Sequence, residues 1–435
     1  MLRFIDLFAG LGGIRMGLEL ACRNRGIRAQ CVFSSEIKPA AREALRHNHP
    51  HEEVWGDITQ IDAEAIPDFD VLLAGFPCQA FSVAGKRLGF EDTRGTLFFE
   101  VERILRAKRP QGFILENVEG LVTHDREKRS DKMGRTLRII LEHLASAGYR
   151  VAWRVLNAKD FGVPQDRRRI YLAGTRSGAP SLQAFPARTR SVGEILSKGL
   201  PVHDSPFVRA LLAHYSVDSL AGKSIKDKRG GEQNIHSWDL ELKGGITAEQ
   251  KALMNQMLKE RRKKKWAAEY GIDWMDGMPL TEAQIRTFFP KADLAAMLDD
   301  LAGKGYLKRE YPKRLVGGRR EQDETLPLGY NIVAGRLSYE VSKVLDPAGI
   351  APTLVATDMQ RIFVPEGKGV RRLSLREGLR LFGYPEDFWL DLSEKEGYDL
   401  LGNTVVVPVI AAVAERLLDA MEGVDGRADN ERAAL

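Results

Sequence analysis

Apolar and polar positions follow two alternating periods over the first 175 residues of this chain. Short apolar runs predict strands, as in RFIDLF at 3–8, AQCVFSSE at 29–36 and DFDVLLAG at 68–75. The stretches between them, at 13–26 and 37–48, repeat apolar residues at helical spacing and predict helices. Because strands that alternate with helices form parallel sheets, we expect an α/β domain that binds ligands at the carboxyl ends of its strands.

The alternation continues on both sides of a less regular middle region. Further helices are predicted at 96–110 and 133–149, and further strands at 112–118 and 150–158. The regular spacing of apolar residues is lost after about Gly178. It returns after about residue 350 and ends in the amphipathic stretch NTVVVPVIAAVAERLLDAM. Composition therefore separates a middle region from two α/β flanks.

Part of the middle region has the element order of a winged helix. The segment LTEAQIRTFFPKADLAAMLDDLAGKGYLKREYPKR predicts two short helices, a turn at Pro290 and a pair of strands after Gly305. This order resembles a helix-turn-helix with a β-hairpin behind it, and a plain structural helical hairpin is the alternative. Seven basic residues and one acid lie between Lys251 and Lys265, so we expect 259–265 to contact phosphates; a solvated helix face is the alternative.

Composition limits the class of protein. With 435 residues, 43% hydrophobic and 29% charged, the chain has the profile of a soluble protein of two or three domains. No apolar run reaches the roughly 18 residues of a membrane span, and the first residues do not resemble a signal peptide. The three cysteines, Cys22, Cys31 and Cys78, form no C-x-x-C pair, so we expect a cytoplasmic protein without a disulfide framework or structural zinc.

The first strand leads into a glycine-rich turn, DLFAGLGG, that opens a helix. Gly10, Gly12 and Gly13 allow the backbone to turn tightly and to approach a ligand. Arg15 stands where the dinucleotide fingerprint needs glycine or alanine, which disfavours pyrophosphate binding.

Two acids end the next two strands: Glu36 ends the second strand, and Asp57, in the stretch WGDIT at 55–59, ends a third. Glu36 could accept both ribose hydroxyls of a nucleoside, Asp57 could accept a hydrogen bond from an adenine amino group, and Phe8 could pack on the adenine. An ordinary helix N-cap is the alternative for each acid. Together these positions favour an adenosine-containing ligand without phosphates, such as S-adenosyl-L-methionine.

The stretch GFPCQAFSVAG places Cys78 after another strand end, either as a small buried residue or as a nucleophile. Glu116 ends the following strand, and Arg167 and Arg169 lie two residues apart, so that both guanidinium groups could point into one cleft. No histidine shares these motifs, which argues against a cysteine protease. A thiolate, a carboxylic acid and a methyl sulfonium suit methylation of a pyrimidine at C5, with the thiolate adding to C6 and the acid assisting at N3.

Seven stretches in order resemble the cytosine-5 DNA methyltransferases, in particular the bacterial enzymes of restriction–modification systems. They are DLFAGLGG, GFPCQAFS, RGTLFFE, ENVEGL, QDRRRIYLAG, RRLSLREGLRLFGYP and GNTVVVPV. The resemblance covers about residues 3–178 and 360–420. It implies a Rossmann-like mixed sheet and a separate target-recognition domain. The implied boundaries are 1–180 for the catalytic and cofactor-binding part, 181–365 for target recognition, 366–425 for a return segment and 426–435 for a flexible tail.

The resemblance also implies roles for the residues that match the family's motifs. Cys78 is similar to the family's nucleophile, Glu116 to its base-binding glutamate, and Arg167 and Arg169 to its active-site arginines. The implied S-adenosyl-L-methionine site consists of Phe8, Gly10, Leu11, Gly12, Gly13, Glu36, Asp57, Ile58, Leu97 and Asn403. No metal is expected, and Thr404 stands where serine is common.

The implied substrate is double-stranded DNA, with the target cytosine rotated out of the duplex. We expect a monomer, with a cognate restriction endonuclease acting separately. Two other functions are an RNA cytosine-5 methyltransferase, which the long middle region disfavours, and a DNA-binding regulator without catalysis.

Overall fold

A computed structural model describes residues 1–77, 97–128, 130–227, 231, 233–272, 277–317, 319–333 and 339–423. Within these ranges the strands are β1 (Leu2–Leu7), β2 (Ala29–Ser35), β3 (Val54–Trp55), β4 (Val71–Ala74), β5 (Gly112–Val118), β6 (Arg150–Asn157), β7 (Arg168–Thr175), β8 (Ser224–Ile225), β9 (Asn234–Ile235), β10 (Leu307–Glu310), β11 (Lys313–Val316), β12 (Arg319–Gln322), β13 (Gly329–Ile332), β14 (Lys343–Val344), β15 (Ile362–Glu366) and β16 (Gly369–Arg372). The α-helices of the same ranges are α1 (Gly13–Asn24), α2 (Pro39–Asn48), α3 (Leu97–Lys108), α4 (Arg135–Ser146), α5 (Pro206–His214), α6 (Val217–Leu220), α7 (Ala248–Glu260), α8 (Lys264–Ala268), α9 (Glu282–Arg286), α10 (Leu294–Gly303), α11 (Ala356–Met359), α12 (Leu375–Leu381), α13 (Glu394–Asn403) and α14 (Val407–Glu422). Among these helices, none combines the length and apolar character that a membrane crossing needs.

The chain forms two compact units. The first contains residues 1–197, 347–360 and 373–435, and the second contains 198–346 and 361–372. The resemblance implies boundaries at 180/181 and 365/366, whereas the chain changes unit at 197/198, 346/347, 360/361 and 372/373. The predicted tail, 426–435, lies outside the described residues.

The first unit has a seven-stranded sheet in the order β3-β2-β1-β4-β5-β7-β6. The neighbours from β3 to β5 are parallel, as expected from the alternating pattern. Strand β7 departs from the parallel arrangement that the alternating pattern predicts, because it pairs antiparallel with both β5 and β6. No α-helix connects β6 to β7, so β7 turns back beside β6 instead of crossing over the sheet. The sheet is therefore mixed, as the resemblance implies.

Helix α14 returns to this sheet from the far end of the sequence. An ideal Cβ at Gly17 of α1 would lie 2.4 Å from the side chain of Ile410, so the two helices pack closely only because position 17 is glycine. Arg25 at the end of α1 forms ion pairs with Glu415, at 2.9 Å, and with Asp419. The last segment of the chain thus completes the first core.

Arg15 explains why the glycine turn departs from a dinucleotide fingerprint. Its side chain is 3% exposed and forms ion pairs of 2.8 Å with Glu19 and 2.6 Å with Glu52. A buried guanidinium needs such partners to offset its desolvation. Position 15 therefore has a structural role in the packing of α1.

The second unit contains a winged-helix subdomain with its own buried core. Its order is α7, α8, an isolated bridge residue Leu280, α9, α10, β10, the β11–β12 hairpin and β13. Strand β13 pairs antiparallel with β10 and forms a bridge from Tyr330 to Leu280. The two short helices and the following strands confirm the element order predicted around Pro290. A third, five-stranded sheet of this unit, β16-β15-β14-β8-β9, contributes to a separate core.

The basic run at 259–265 has a mixed role. Arg261 is 5% exposed and donates to Asn331 Oδ1 at 2.6 Å, so the expectation that it contacts phosphates was wrong. Its side chain turns inward because Asn331 provides a buried acceptor on β13. Lys263, Lys264 and Lys265 are exposed, although Lys263 pairs with Glu260 at 2.5 Å.

Candidate active site at the carboxyl edge of the sheet

Strands β1, β2 and β4 end at one level of the sheet, and the neighbouring β5 continues past that level to Val118. Leu7 of β1 pairs in register with Ser35 of β2 and with Ala74 of β4, and Ala74 pairs with Leu115 of β5. The next residue on each strand is therefore at the same edge. Those residues are Phe8, Glu36, Gly75 and Glu116, three of which the sequence singled out as site residues.

Glu36 is tied to the glycine turn. Its two carboxylate oxygens accept backbone N–H groups, Oε2 from Gly10 and Oε1 from Lys38, both at 2.8 Å. Each oxygen of a carboxylate can accept a second hydrogen bond, so these contacts orient Glu36 without using all its acceptor capacity. The buried carboxylate is thus fixed at the edge of the sheet where a hydroxyl-bearing ligand would dock.

The glycine turn has an unusual backbone. Phe8, Gly10 and Gly12 have φ angles of 55°, 56° and 73°, in the left-handed region that favours glycine. Phe8 adopts this conformation although it is not glycine, which stores local strain at the end of β1. An ideal Cβ at Gly10 would meet no atom within 4 Å, so the turn presents bare backbone there.

Gly13 lies against the segment that follows α13. A Cβ at Gly13 would lie 2.6 Å from Tyr384 Oη and 3.3 Å from Thr404 Oγ1. Tyr384 and Thr404 are themselves hydrogen-bonded at 2.6 Å. Asn403 therefore directly precedes Thr404, which borders the glycine turn. The Asn403 side chain is exposed and donates to Asp399 O at 2.8 Å.

The remaining cofactor candidates differ in exposure. Asp57 is exposed and accepts the Thr59 N–H at 3.0 Å, which is the N-cap alternative for this acid. Leu11 and Ile58 are 1% and 2% exposed and belong to the packed interior. Leu97 begins α3 and is half-buried. Sequence reasoning missed Ile37, which is 68% exposed beside Glu36 and offers apolar surface at the same edge.

Glu116 and Arg169 face each other across β5 and β7. The Arg169 Nε lies 3.3 Å from Glu116 Oε1, and both side chains are largely buried. Burial raises the pKa of Glu116, while the charges of Arg169 and Arg167 lower it less. Because the raised pKa favours the protonated form, Glu116 is suited to donate or share a proton.

Arg167 is fixed by hydrogen bonds to the backbone of three residues that are distant in the sequence. Its guanidinium donates to Leu354 O at 2.9 Å, Gly402 O at 3.3 Å and Thr404 O at 2.8 Å. Burial first, and then Arg169, lowers the pKa of Arg167. The sequence suggested that both arginines point into one cleft; in the structure Arg169 pairs with Glu116, and Arg167 connects β7 to the return segment.

Phe382 and Thr404 are positions that sequence reasoning did not assign to this arrangement. The Arg167 guanidinium lies 5.1 Å from the centre of the Phe382 ring, and Thr404 contacts both Arg167 and Tyr384. Thr404 therefore joins the arginine to the glycine turn. Only its place in the stretch GNTVVVPV could have indicated this role.

Cys78 lies outside the described residues, which stop at Pro77 and resume at Leu97. The preceding residues are well anchored: Asn117 Nδ2 donates to Phe76 O at 3.1 Å, and the ring of Phe76 lies 5.9 Å from that of Phe98. A Cβ at Gly75 would lie 3.9 Å from Glu116 Oε2. The chain therefore leads toward Cys78 from a point beside Glu116. Within the described part of the chain, no cluster of histidine, cysteine or carboxylate side chains could hold a metal ion.

The chain is similar to known proteins over nearly its whole length. Residues 2–419 match the family model for C-5 cytosine-specific DNA methylase. The type II methyltransferase M.NlaIV of Neisseria lactamica is 61% identical over 417 residues, which cover 96% of this chain and 99% of that protein. The type II methyltransferase M.BanI of Aneurinibacillus aneurinilyticus is 41% identical over 446 residues, covering 96% and 95%.

A solved structure shares the fold. The crystal structure of S. pombe Dnmt2 methyltransferase aligns with a TM-score of 0.53 at 15% identity, covering 96% of this chain and 99% of that one. At this identity the likeness concerns the fold alone. The family match and the relative that is 61% identical together establish that this chain belongs to the C-5 cytosine-specific DNA methylases.

Proposed function

We propose that this protein transfers a methyl group from S-adenosyl-L-methionine to C5 of a cytosine within a specific sequence of double-stranded DNA. The observation that carries the proposal is the pairing of Glu116 with Arg169 at the strand edge that also bears the glycine turn. A buried carboxyl with a raised pKa beside a guanidinium suits recognition of a ring nitrogen and an adjacent carbonyl oxygen.

Cys78 is the proposed nucleophile. Its thiolate forms a bond to C6 of the cytosine, and the electron pair of the C5–C6 double bond makes C5 nucleophilic. C5 then takes the methyl group while the bond between that group and the sulfonium sulfur breaks, which leaves a neutral thioether. A base removes the C5 proton, and elimination breaks the bond between the Cys78 sulfur and C6. The double bond and the thiolate are restored, so that one proton is released overall.

Glu116 and the arginines prepare the base for this addition. Protonated Glu116 donates to N3, which withdraws electrons from C6 and assists thiolate attack. Arg169 holds Glu116 and offers donors to the O2 carbonyl oxygen. Arg167 acts as a positioning residue, because its donors are committed to the carbonyl oxygens of Leu354, Gly402 and Thr404.

The glycine turn and its neighbours fit an adenosine-containing cofactor. Gly10 presents backbone that a Cβ would cover, and Glu36 keeps acceptor capacity for ribose hydroxyls. Asp57 and Phe8 would meet the adenine, and Ile37 adds exposed apolar surface. Leu11, Gly12, Gly13 and Ile58 would shape the site, with Leu97 and Asn403 at its wall. S-adenosyl-L-methionine supplies the electrophilic methyl group when bound there.

DNA is favoured over the other substrates that the sequence left open. The relatives at 61% and 41% identity are named as type II methyltransferases, and each aligns with 96% of this chain, a share that must include most of its long middle region. A catalytically silent regulator would not need the retained pair of Glu116 and Arg169. We further propose a monomer in the cytoplasm, with a separate endonuclease of matching specificity.

Bisulfite sequencing of plasmid DNA from a host that expresses the chain tests this proposal. We expect protected cytosines within one recurring sequence, and none from a host that expresses the Cys78→Ala variant. An unmodified plasmid, alongside methyl transfer from labelled S-adenosyl-L-methionine to transfer RNA, would contradict the DNA assignment.

A further inference from the structure

The helix of the winged-helix subdomain that would ordinarily enter a DNA groove is unsuited to that task. This helix, α10, exposes Ala295, Ala296, Asp299 and Asp300. It contains two acids and no cation. Side chains that read bases or bind phosphates are mainly arginine, lysine, asparagine and glutamine, and two carboxylates repel a polyanion.

The cations next to α10 do not reverse this charge. Lys304 forms an ion pair with Asp300 at 2.7 Å, and Lys291 forms one with Glu249 at 2.6 Å. Arg309 donates to Asp299 at 2.7 Å. Each of these cations therefore already balances an acid of the subdomain.

The β11–β12 hairpin, here called the wing, has the opposite character. Its two strands carry Lys313, Arg314, Arg319 and Arg320 against the single acid Glu321. Arg319 and Arg320 are exposed, and no acid in the described part of the chain pairs with them. At the tip, Leu315 and Val316 are 72% and 55% exposed. An exposed ribbon with unpaired guanidinium groups is complementary to a phosphate backbone.

The pairing of the wing distributes these charges over both faces. Arg320 lies opposite Leu315, and Arg319 lies opposite Val316. Cross-strand partners share a face, and neighbouring positions alternate between faces, so each face presents an arginine beside an apolar side chain. A two-stranded ribbon also fits the width of the DNA major groove, which is about 12 Å.

The base of the wing is firmly attached to the subdomain. Arg314 forms an ion pair with Asp323 at 2.5 Å and donates to Tyr270 O at 3.1 Å. Tyr270 follows α8, which carries the exposed residues Lys264 and Lys265. The wing thus begins beside the part of the basic run that remains on the surface.

We propose that the wing, rather than helix α10, is the element of the winged-helix subdomain that binds double-stranded DNA, through phosphate contacts of Arg319 and Arg320. This proposal rests on the proposed function, because it takes duplex DNA as the ligand. It gives the subdomain a role in affinity and placement on the duplex, with sequence recognition left to other surfaces.

The test measures binding of the full chain to one fixed duplex from the plasmid used for bisulfite sequencing, over a range of salt concentrations. We expect R319Q/R320Q to weaken binding at 0.1 M salt by about tenfold to a hundredfold. The slope of log K against log salt should fall by about 2, because each lost phosphate contact removes about 0.9. Extrapolated to 1 M salt, the affinities of variant and wild type should converge.

Two further variants sharpen this test. R319K/R320K keeps both charges and should retain the wild-type slope and affinity within about threefold, since phosphate contacts need charge more than guanidinium shape. K291Q/K304Q removes the same number of charges beside α10 and should change the affinity less than about twofold. Thermal melting should be the same for all wing variants, because the altered side chains are exposed.

The proposal would be overturned if R319Q/R320Q bound DNA with the affinity and the salt slope of wild type. The wing would then bind a protein partner or have no binding role. An equal loss in K291Q/K304Q would also overturn it, because charge alone would explain both results. An equal loss of affinity in R319K/R320K would contradict the proposed phosphate contacts. It would indicate instead that the two guanidinium groups bind base edges. A wild-type protein that binds this duplex but transfers no methyl group would contradict the proposed function and leave the wing assignment standing.

Discussion

Arginines serve opposite purposes in the sheet edge of the first unit and in the wing of the second. Arg167 is buried and each of its hydrogen bonds ends on a backbone carbonyl, whereas Arg319 and Arg320 are exposed without a described acidic partner. A buried guanidinium is retained for the position it imposes on its surroundings, because its desolvation must be offset by fixed acceptors. An exposed and unpaired one remains available to a polyanion. Changes at the sheet edge should therefore affect the chemical step or the fold, and changes in the wing should affect DNA affinity.

The largest expected effect separates the two regions directly. Cys78→Ala should lower the rate of methyl transfer by a factor on the order of 10³ or more, because the covalent route is lost. Its affinity for duplex DNA should stay within about threefold of wild type. In R319Q/R320Q we expect the reverse, a raised KM for DNA with kcat retained. Steady-state kinetics and filter binding on the same duplex measure both quantities, and comparable kcat losses in the two variants would contradict the division.

Replacement of Arg167 by lysine should lower the free energy of unfolding by about 2–4 kcal/mol. Lysine cannot reproduce the planar set of donors, so at least one carbonyl of the return segment loses its charged hydrogen bond. Arg168 is the matched control, since it is exposed and pairs with Glu119. Arg168→Lys should cost less than about 1 kcal/mol. Urea denaturation of both variants provides the comparison, and equal costs would refute the positioning role.

Two glycines of the same turn should separate packing from ligand binding. Gly13→Ala places a methyl group 2.6 Å from Tyr384 Oη and should destabilise the protein by about 1–3 kcal/mol. Gly10→Ala meets no neighbouring atom and should cost roughly 1–2 kcal/mol for its left-handed backbone. Its larger effect should be a raised KM for S-adenosyl-L-methionine, measured at saturating DNA. An unchanged KM would place the cofactor elsewhere.

The smallest expected effect concerns the dependence of stability on pH. Because the folded-state pKa of Glu116 is raised, the folded protein holds this proton more tightly than the unfolded chain does. Wild type should therefore lose stability relative to Glu116→Gln as pH rises from below the unfolded value of about 4.3 through the raised folded value. Below that window the difference between the two proteins should be constant. Urea titrations from pH 4 to pH 8 check the sign, and a wild-type protein that gains stability relative to Glu116→Gln as pH rises would contradict it.

The sequence predicted the candidate site well where each signal was local. Two predicted strands end at Phe8 and Glu36 and a third contains Glu116, and parallel register then brings these positions to one edge. The element order of the winged helix could likewise be read from helical spacing and from the turn at Pro290.

Features that depend on distant partners could not be predicted in the same way. The antiparallel direction of β7 arises from pairing with β5 and β6, for which no short stretch carries a signal. The inward turn of Arg261 depends on Asn331, and the fixation of Arg167 depends on Leu354 and Thr404. A basic residue has the same appearance in a sequence whether it faces an internal acceptor or solvent. Only the folded chain distinguishes the two.

The most direct test of the central claim uses duplex DNA with 5-fluorocytosine at the methylated position. Elimination requires the C5 substituent to leave as a cation, which fluorine cannot do. The bond between the Cys78 sulfur and C6 should therefore persist after methyl transfer. We predict a denaturation-resistant complex that depends on S-adenosyl-L-methionine, with peptide mass spectrometry assigning the adduct to Cys78. Turnover of the unfluorinated duplex without an adduct at this cysteine would contradict the account.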